Sequence, residues 1–481
     1  MNEQSSHNIS EFIYIQLADE IEGKIKDGSY RVGEKLPSLR NLSARSGLSL
    51  STVYQAYIEL EKKGVVEVKE KSGFFVKPPL GSVLPLPEFL KHPADPRRPS
   101  VNVLAESIYK AIGESKMLPL GAALPSHEIL PVKQLTNSSR AVAGRYLKEG
   151  GIGYGPLTGV PELNRQIRNR AVGHIRDIGV EEIIITNGCM EAIDLSLRAV
   201  AGPGDTVVVE SPSFGCYLQL IEDLNMLALE APTDPEQGID LESLFSIVDT
   251  HRVKACLLNS NFQNPLGFEM QKERKKRLVE FLCEKEIPLI EDDIYGDLYF
   301  GKSRPATFKS FDRKGLVLYC SSFSKSLAPE LRVGWTVPGR FTDNVKRLKF
   351  NTSIATSKLN QLIIADFLKN GHHERHLRKF RNALQNQVTN TTLAIKRHFP
   401  PDTKVSAPKG GFILWVELGK NIDGVELFYK AKDENIFILP GVLSSATGKF
   451  KNCIRMGCGY PWNEKMEEGI KTLGALISQI S

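Results

Sequence analysis

Ser321–Trp335 reads SSFSKSLAPELRVGW, and the rest of the chain can be organised around it. Just before and into it, Leu316, Val317, Leu318 and Tyr319 form an apolar run of strand type, and Val333-Gly334-Trp335 begins another. Between them Lys325 stands among small hydroxyl residues, and Arg332 follows seven residues on. Lysine condenses with aldehydes to Schiff bases, while hydroxyls beside a fixed cation suit a phosphate. Lys325, Ser322, Ser324 and Arg332 therefore offer, in one turn-sized segment, what a pyridoxal cofactor requires. An exposed lysine on an ordinary loop is the plain alternative unless other segments answer to it.

The chain has 481 residues, enough for two or three domains around a large core. It has no run of about 18 apolar residues. Its polar start, MNEQSSHNIS, lacks the apolar segment of a signal peptide, so neither a membrane span nor export is expected. Seven cysteines without any C-x-x-C pair fit the reduced thiols of a cytoplasmic protein better than a disulfide frame or a zinc site. The net charge of +6 implies little about partners. Residues 1–80 are neutral, with 11 Lys+Arg and 11 Asp+Glu, but Arg31, Lys35, Arg40 and Arg45 face only Glu34 between Tyr30 and Ile58. A nucleic-acid reading must rest on that local face.

Beyond Val101, apolar runs alternate with helical patterns: Ile183–Ile185, Thr206–Val209, Ala255–Leu258, Pro288–Ile290 and Leu316–Tyr319. Short, fully apolar strands alternating with helices predict a parallel sheet covered on both faces. Ligands of such sheets gather at the strands' carboxyl ends. There stand Thr186–Ala192, opening a helix whose first N–H groups suit a phosphate; Phe214, an aromatic able to stack; Asn264; Asp292 and Tyr295; and Lys325. A carboxylate at a pyridine nitrogen keeps it protonated, and Tyr295 with Asn264 suits a phenolic oxygen. Each piece alone is weak, since Asn-Pro is a common turn and Asp292-Asp293 could end a solvated strand. Five in order after five successive strands are not. This set, with NPLG (264–267), EDDIYGDLYF (291–300) and Ile454-Arg455-Met456, resembles the fold-type I aminotransferases over residues 115–481.

The resemblance implies Lys325 as the Schiff-base lysine, Asp292 on the pyridine nitrogen, and Asn264 with Tyr295 on the ring oxygen. It implies Phe214 against the ring and Cys189, Met190, Ser322, Ser324 and Arg332 around the phosphate. Tyr154, in YGPLTGVPEL, matches a tyrosine that reaches the phosphate from a second subunit, and Arg455 matches the arginine that forks onto a substrate carboxylate. Cys189-Met190 replace the usual hydroxyl and polar pair, which leaves phosphate contact there to backbone N–H groups. Leu266 stands where a threonine is frequent.

In the first eighty residues, Tyr14, Leu17, Ala18, Ile21 and Ile25 predict a helix over roughly Ser10–Lys26. Ser38 caps a second over Leu39–Arg45, and Ser49 caps a third that runs to Lys63 with Gly64 as its stop. Val65–Lys69 and Gly73–Lys77 make a hairpin. This layout is that of a winged helix-turn-helix, whose third helix enters the major groove. The segment LPSLRNLSARSGLSLSTVYQAYIELEKKGVVEVKEKSGFFV is similar to the DNA-binding domain of the GntR family, over about residues 11–77. Carried over, Ser38 and Arg40 contact phosphate and a base edge; Ser49, Ser51, Thr52 and Tyr54 open the recognition helix onto DNA; Lys71 and Ser72 sit at the wing. Leu50 stands where many relatives carry an arginine.

The expected organisation is an α/β chain: a GntR-type winged helix-turn-helix (1–77), a proline-rich linker (78–100, seven prolines) that leaves the reader separately mobile, and an aminotransferase class I/II-like PLP-binding domain (101–481) with a parallel-rich sheet and large and small subdomains. His372-His373-Glu374-Arg375-His376 is not in H-E-x-x-H order and reads as a solvated helix face rather than a metal site; Cys453 and Cys458 read as core thiols. A GntR-type reader joined to such a domain resembles the MocR subfamily of transcription regulators. That resemblance implies a cytoplasmic, PLP-dependent regulator in which PLP or an amino compound acts through a Lys325 aldimine. It also implies operator DNA as partner and a head-to-tail homodimer, each reader packed on the other subunit's large domain. The rivals are a working aminotransferase that carries a DNA-binding domain, since no catalytic position is missing, and a DNA binder whose large domain only dimerises.

Overall fold

A computed structural model describes residues 4–69, 72–78, 83–91, 95–110, 117–148, 151, 153–175 and 178–480; for residues 4–12 and 109 it describes backbone alone. The reader is built from α1 (Gln4–Lys26), α2 (Leu39–Ser46), α3 (Leu50–Lys62), β1 (Val66–Lys69) and β2 (Gly73–Val76). The helical spacing of Leu17, Ala18 and Ile21 turns them onto Val53, Ala56, Tyr57 and Leu60 of α3, all buried. Ser38 and Ser49 do cap α2 and α3, their Oγ atoms accepting from Asn41 N (3.3 Å) and Thr52 N (3.1 Å). Tyr57 Oη donates to Pro37 O at 2.8 Å and so ties α3 to the entry of α2. The antiparallel wing gains a third edge where Leu36 N donates to Phe74 O.

The body opens with α4 (Asn102–Lys110), α5 (Val132–Lys148) and α6 (Pro161–Ala171), then alternates β3 (Ile184–Thr186), α7 (Cys189–Val200), β4 (Thr206–Ser211), α8 (Gly215–Asp223), β5 (Leu227–Asp234) and β6 (Gly238–Ile239). It continues through α9 (Leu241–Thr250), β7 (Val253–Asn259), α10 (Lys272–Glu284), β8 (Leu289–Asp292), β9 (Val317–Ser322) and β10 (Gly334–Val337). Among the described residues these strands form one sheet in the order β3-β10-β9-β8-β7-β4-β5-β6. Side chains alternate along it. Val208, Leu258, Leu289 and Val317 meet α9 and α10, while Val207, Val209, Leu257, Ile290 and Leu318 share the opposite core with α7. The sheet is mostly parallel as expected, with β10 reversed against both β9 and β3. The connection over 323–333 explains the reversal: a parallel crossover needs about a dozen or more residues, usually with a helix.

Helices α11 (Thr342–Thr352) and α12 (Lys358–Lys369) lead to α13 (His372–His398), which opens the small subdomain. That subdomain adds β11 (Lys404–Val405), β12 (Ile413–Glu417), α14 (Gly424–Asp433), β13 (Leu439–Pro440), β14 (Cys453–Gly457) and α15 (Glu464–Ile480), with the antiparallel order β11-β12-β14-β13. Among the described residues no helix is long and apolar enough to cross a membrane. All seven cysteines are unbridged, and Cys453 and Cys458 are buried.

Two expectations are corrected. The described part of the linker is not free: Val405 N donates to Pro85 O (2.8 Å), Glu88 pairs with Lys404 (2.7 Å), and Arg97 exchanges backbone bonds with Ala228 (3.0 and 2.8 Å). Proline keeps its carbonyl and Arg97 both backbone groups, and strand edges that need covering take them up. Nor does the reader stand apart. It sits on α13 of its own chain, where Val32 N donates to Asn390 Oδ1 (3.0 Å), Asn390 Nδ2 donates to Val32 O (3.4 Å) and Leu393 packs into the reader core.

The reversed strand allows a tight approach: a Cβ on Gly334 would lie 2.5 Å from the Gly188 carbonyl carbon, a backbone atom that cannot swing aside. Gly334→Ala is therefore expected to destabilise the body by about 1–3 kcal/mol, read as a lower urea midpoint with the unfolding slope unchanged.

Candidate functional site

The carboxyl ends of β3, β4, β7, β8 and β9 bring most of the expected residues to one place. Asp292 ends β8 and is buried; its Oδ1 accepts from Ile294 N (2.9 Å) and Cys189 Sγ (3.5 Å), and its Oδ2 accepts from Tyr217 Oη. Burial pushes the Asp292 carboxyl up, against the pull of these donors. Burial and the nearby carboxylate also hold the Cys189 thiol and the Tyr217 phenol well above their usual ranges, so both keep their protons. Phe214 caps α8 just ahead of Tyr217 and meets its ring edge-on, centroids 5.3 Å apart.

Lys325 lies in the turn between β9 and β10, and its Nζ donates to Ala123 O at 2.7 Å. Burial of the ammonium brings it down to about 8, with the Arg455 and Arg332 guanidiniums pushing the same way. Ser322 Oγ accepts from Ser324 N (3.2 Å), and Arg332 Nη1 approaches Ser324 Oγ at 3.5 Å. Arg332, itself in the left-handed region at φ +52°, donates from Nη2 to Asn187 O at 3.1 Å. The guanidinium thus rests against the start of α7, where Cys189 and Met190 are the first residues and the backbone N–H groups face an incoming anion. Gly188 leaves the room, since a Cβ there would lie 2.4 Å from Arg332 Nη2.

Across the site Arg455, on β14, donates from Nη1 to Asn264 Oδ1 (3.4 Å) and from Nη2 to Gly121 O (2.9 Å). Among the described residues its buried Nε has no hydrogen-bond partner, and neither has the buried Tyr295 Oη. Burial raises the Tyr295 phenol, which therefore keeps its proton. Arg332 and Arg455 both act on Lys325, with the buried carboxylate of Asp292 also within its reach, an arrangement suited to an anionic ligand. Tyr154 is not among them. It is 87 % exposed on the same chain.

Some site residues escaped the sequence. Tyr217 sits one helical turn after Phe214, a spacing that places both over the same floor, and that was the available signal. Ala123 and Gly121 contribute carbonyls, for which sequence carries no mark. The His372–His376 stretch is corrected: Glu374 and Arg375 are solvated, but His373 and His376 are buried, and His376 Nε2–H donates to Ser326 O at 2.7 Å, beside Lys325. They lie on the face of α13 that packs onto Phe323 and Phe367, and burial brings His376 down to about 4. Among the described residues no cluster of three His, Cys, Asp or Glu could hold a metal.

The second site is the outer face of the reader. Arg40 and Ser72 are exposed beside the α3 start, and Tyr54 is 47 % exposed one turn along it. Ser49 Oγ lies 2.8 Å from both Ser51 Oγ and Thr52 Oγ1, which fixes the hydroxyls at the helix entry. Ser38 is exposed at the start of α2. Lys71 lies outside the described residues.

Comparison with known proteins matches both parts. Residues 116–473 match the family described as aminotransferase class I and II, and residues 13–76 match the bacterial regulatory proteins of the gntR family. Over 97 % of its length the chain is 35 % identical to an uncharacterized HTH-type transcriptional regulator of Escherichia coli strain K12, YdcR, covering 99 % of that protein. It is 36 % identical to another, YjiR, over 96 % of this chain and 98 % of the relative. The solved structure of LysN, the alpha-aminoadipate aminotransferase of Thermus thermophilus, complexed with N-(5'-phosphopyridoxyl)-L-leucine, is 28 % identical, with a TM-score of 0.71 over 78 % of this chain and 98 % of that one. A multiple substrate aminotransferase from Thermococcus profundus gives 25 % and 0.72, over 78 % and 94 %. With a reader at one end and an aminotransferase fold filling the rest, the chain belongs to the MocR-type GntR family of HTH-type transcriptional regulators that carry an aminotransferase class I and II domain.

Proposed function

We propose that this regulator binds pyridoxal 5'-phosphate at Lys325, senses PLP or an amino compound there, and reports the state of that site to its DNA reader through α13. The residues fit the cofactor. Two buried polar atoms, Tyr295 Oη and Arg455 Nε, have no partner among the described residues, as expected of groups kept for a ligand, and Gly188 leaves open the cradle beside Arg332. Lys325 would hold the aldehyde carbon, Asp292 the pyridine nitrogen, and Asn264 with Tyr295 the ring oxygen. Phe214 would lie on the ring. The α7 start at Cys189 and Met190, with Ser322, Ser324 and Arg332, would hold the phosphate. When bound, the cofactor supplies an aldehyde for amino groups and a ring that withdraws electrons.

The chain's own residues do the rest. Tyr217 and Cys189 each point a retained proton at Asp292, holding the carboxylate oriented. Tyr295 keeps its proton at Oη for the ring oxygen, and Arg455 offers a planar fork to a substrate carboxylate. Lys325, drawn down to about 8, has a sizeable fraction of neutral amine near neutral pH. In the homodimer that completes this reading, the exposed Tyr154 reaches the second subunit's phosphate.

The observation that carries the proposal is α13 itself. Near one end His376 holds the carbonyl of Ser326, next to Lys325; further along Asn390 and Leu393 hold the reader. The His376–Asn390 span is about 21 Å of continuous helix. A ligand shifts an equilibrium only by its differential affinity for two conformations, and one rigid element touched by both sites gives such a difference a route. An aminotransferase carrying its reader as a passenger has no need of that contact.

In Lys325→Ala supplied with PLP, the visible absorbance of the bound cofactor should vanish and borohydride should leave no label on the segment around residue 325. In the parent, the rate at which added PLP colours the cofactor-free chain should rise with pH and level off above about 8, because the protonated amine does not attack. Binding to the chain's own upstream region should weaken in Arg40→Ala, and the slope of log K against log salt should fall by about 1. Asn390→Ala should still bind that duplex, but the affinity change on adding PLP or an amine should disappear; an undiminished response would sink the α13 route.

A further inference from the structure

The recognition helix presents an apolar tip. Leu50, the first residue of α3, is 50 % exposed, and Tyr54 stands one turn along the same line. Ser49 Oγ bonds to both Ser51 and Thr52 around Leu50, so these hydroxyls are tied down while the Leu50 side chain stays half exposed. From Ser49 to Ile58 no side chain carries a charge. The cations lie to the side: Lys35 and Arg40 flank an apolar groove of about 460 Å³ between Leu50 and the wing residue Phe74. The cations thus lie along this groove, while the exposed tip of α3 at its edge is apolar.

The major-groove edges of the bases carry one apolar substituent, the 5-methyl of thymine; guanine offers two acceptors and cytosine a donor, neither of which leucine can satisfy. Resting on the DNA-binding reading above, we infer that Leu50 is a specificity-determining residue that reads a thymine methyl, at a position where an arginine would read guanine. Burial of one methyl corresponds to about a fourfold preference for thymine over the same base without it.

The test uses the full chain. Duplexes are enriched from a random pool, and each thymine of the enriched core is replaced singly by deoxyuridine, which deletes only the methyl. Binding should fall about fourfold at one thymine per half-site for the parent. Leu50→Ala should bind thymine and deoxyuridine duplexes alike, and Leu50→Arg should enrich guanine at that position. The substitutions lie on an exposed surface, and circular dichroism of each variant checks the fold. Equal binding of both duplexes by the parent, or discrimination that survives in Leu50→Ala, overturns the assignment while leaving DNA binding intact. Failure of the parent to enrich any duplex overturns the DNA-binding reading and this one with it.

Discussion

The constraint on which the site depends is the length of the connection between β9 and β10. Residues 323–333 are too few to cross over the sheet, so the chain doubles back and β10 enters antiparallel. The two lips of that turn are where Lys325 and Arg332 sit. The returning strand presses Gly334 against Gly188 at the start of α7, which sets the Arg332 guanidinium beside the first N–H groups of that helix. Arg332 accepts a left-handed backbone to do so, at about 1–2 kcal/mol for a residue with a Cβ. Its hydrogen bonds to Asn187, Pro329 and Ser324 offset that strain.

Electrostatics follow from this geometry. The donors on the Asp292 carboxylate, Tyr217 and Cys189, are held in their protonated forms by burial, and the Arg332 and Arg455 guanidiniums act on Lys325. The floor of the site is therefore a fixed array of donors around Asp292, while the rim is cationic. Burial brings Lys325 down to about 8, which suits a group that must give up its proton to react.

Much of this was legible in the sequence because it is local. Five apolar runs named five strands, and the residues just past them named Asn264, Asp292, Tyr295 and Lys325. Hydroxyls before helical patterns named the caps at Ser38 and Ser49. What stayed hidden depends on partners distant in sequence. Tyr217 matters through Asp292 on another strand, and Ala123 through a carbonyl that any residue could supply. His373 and His376 read as solvated because the charges between them are, yet a helix repeat near 3.6 turns these two inward, His373 onto Phe323 and Phe367 and His376 onto Ser326. The direction of β10 was open to a count of connecting residues. The seat of the linker was not, because it rests on backbone groups alone.

That seat changes how the two parts of the chain are joined. The passage through Pro85 and Glu88 is fastened to the small subdomain at Val405, Lys404 and Glu417, and the reader is fastened to α13 of that same subdomain. The contacts at α13 therefore hold the reader alongside the covalent chain, whose connectivity adds a high local concentration. A chain cleaved between the two parts would leave two fragments still travelling as one particle, parting only on dilution.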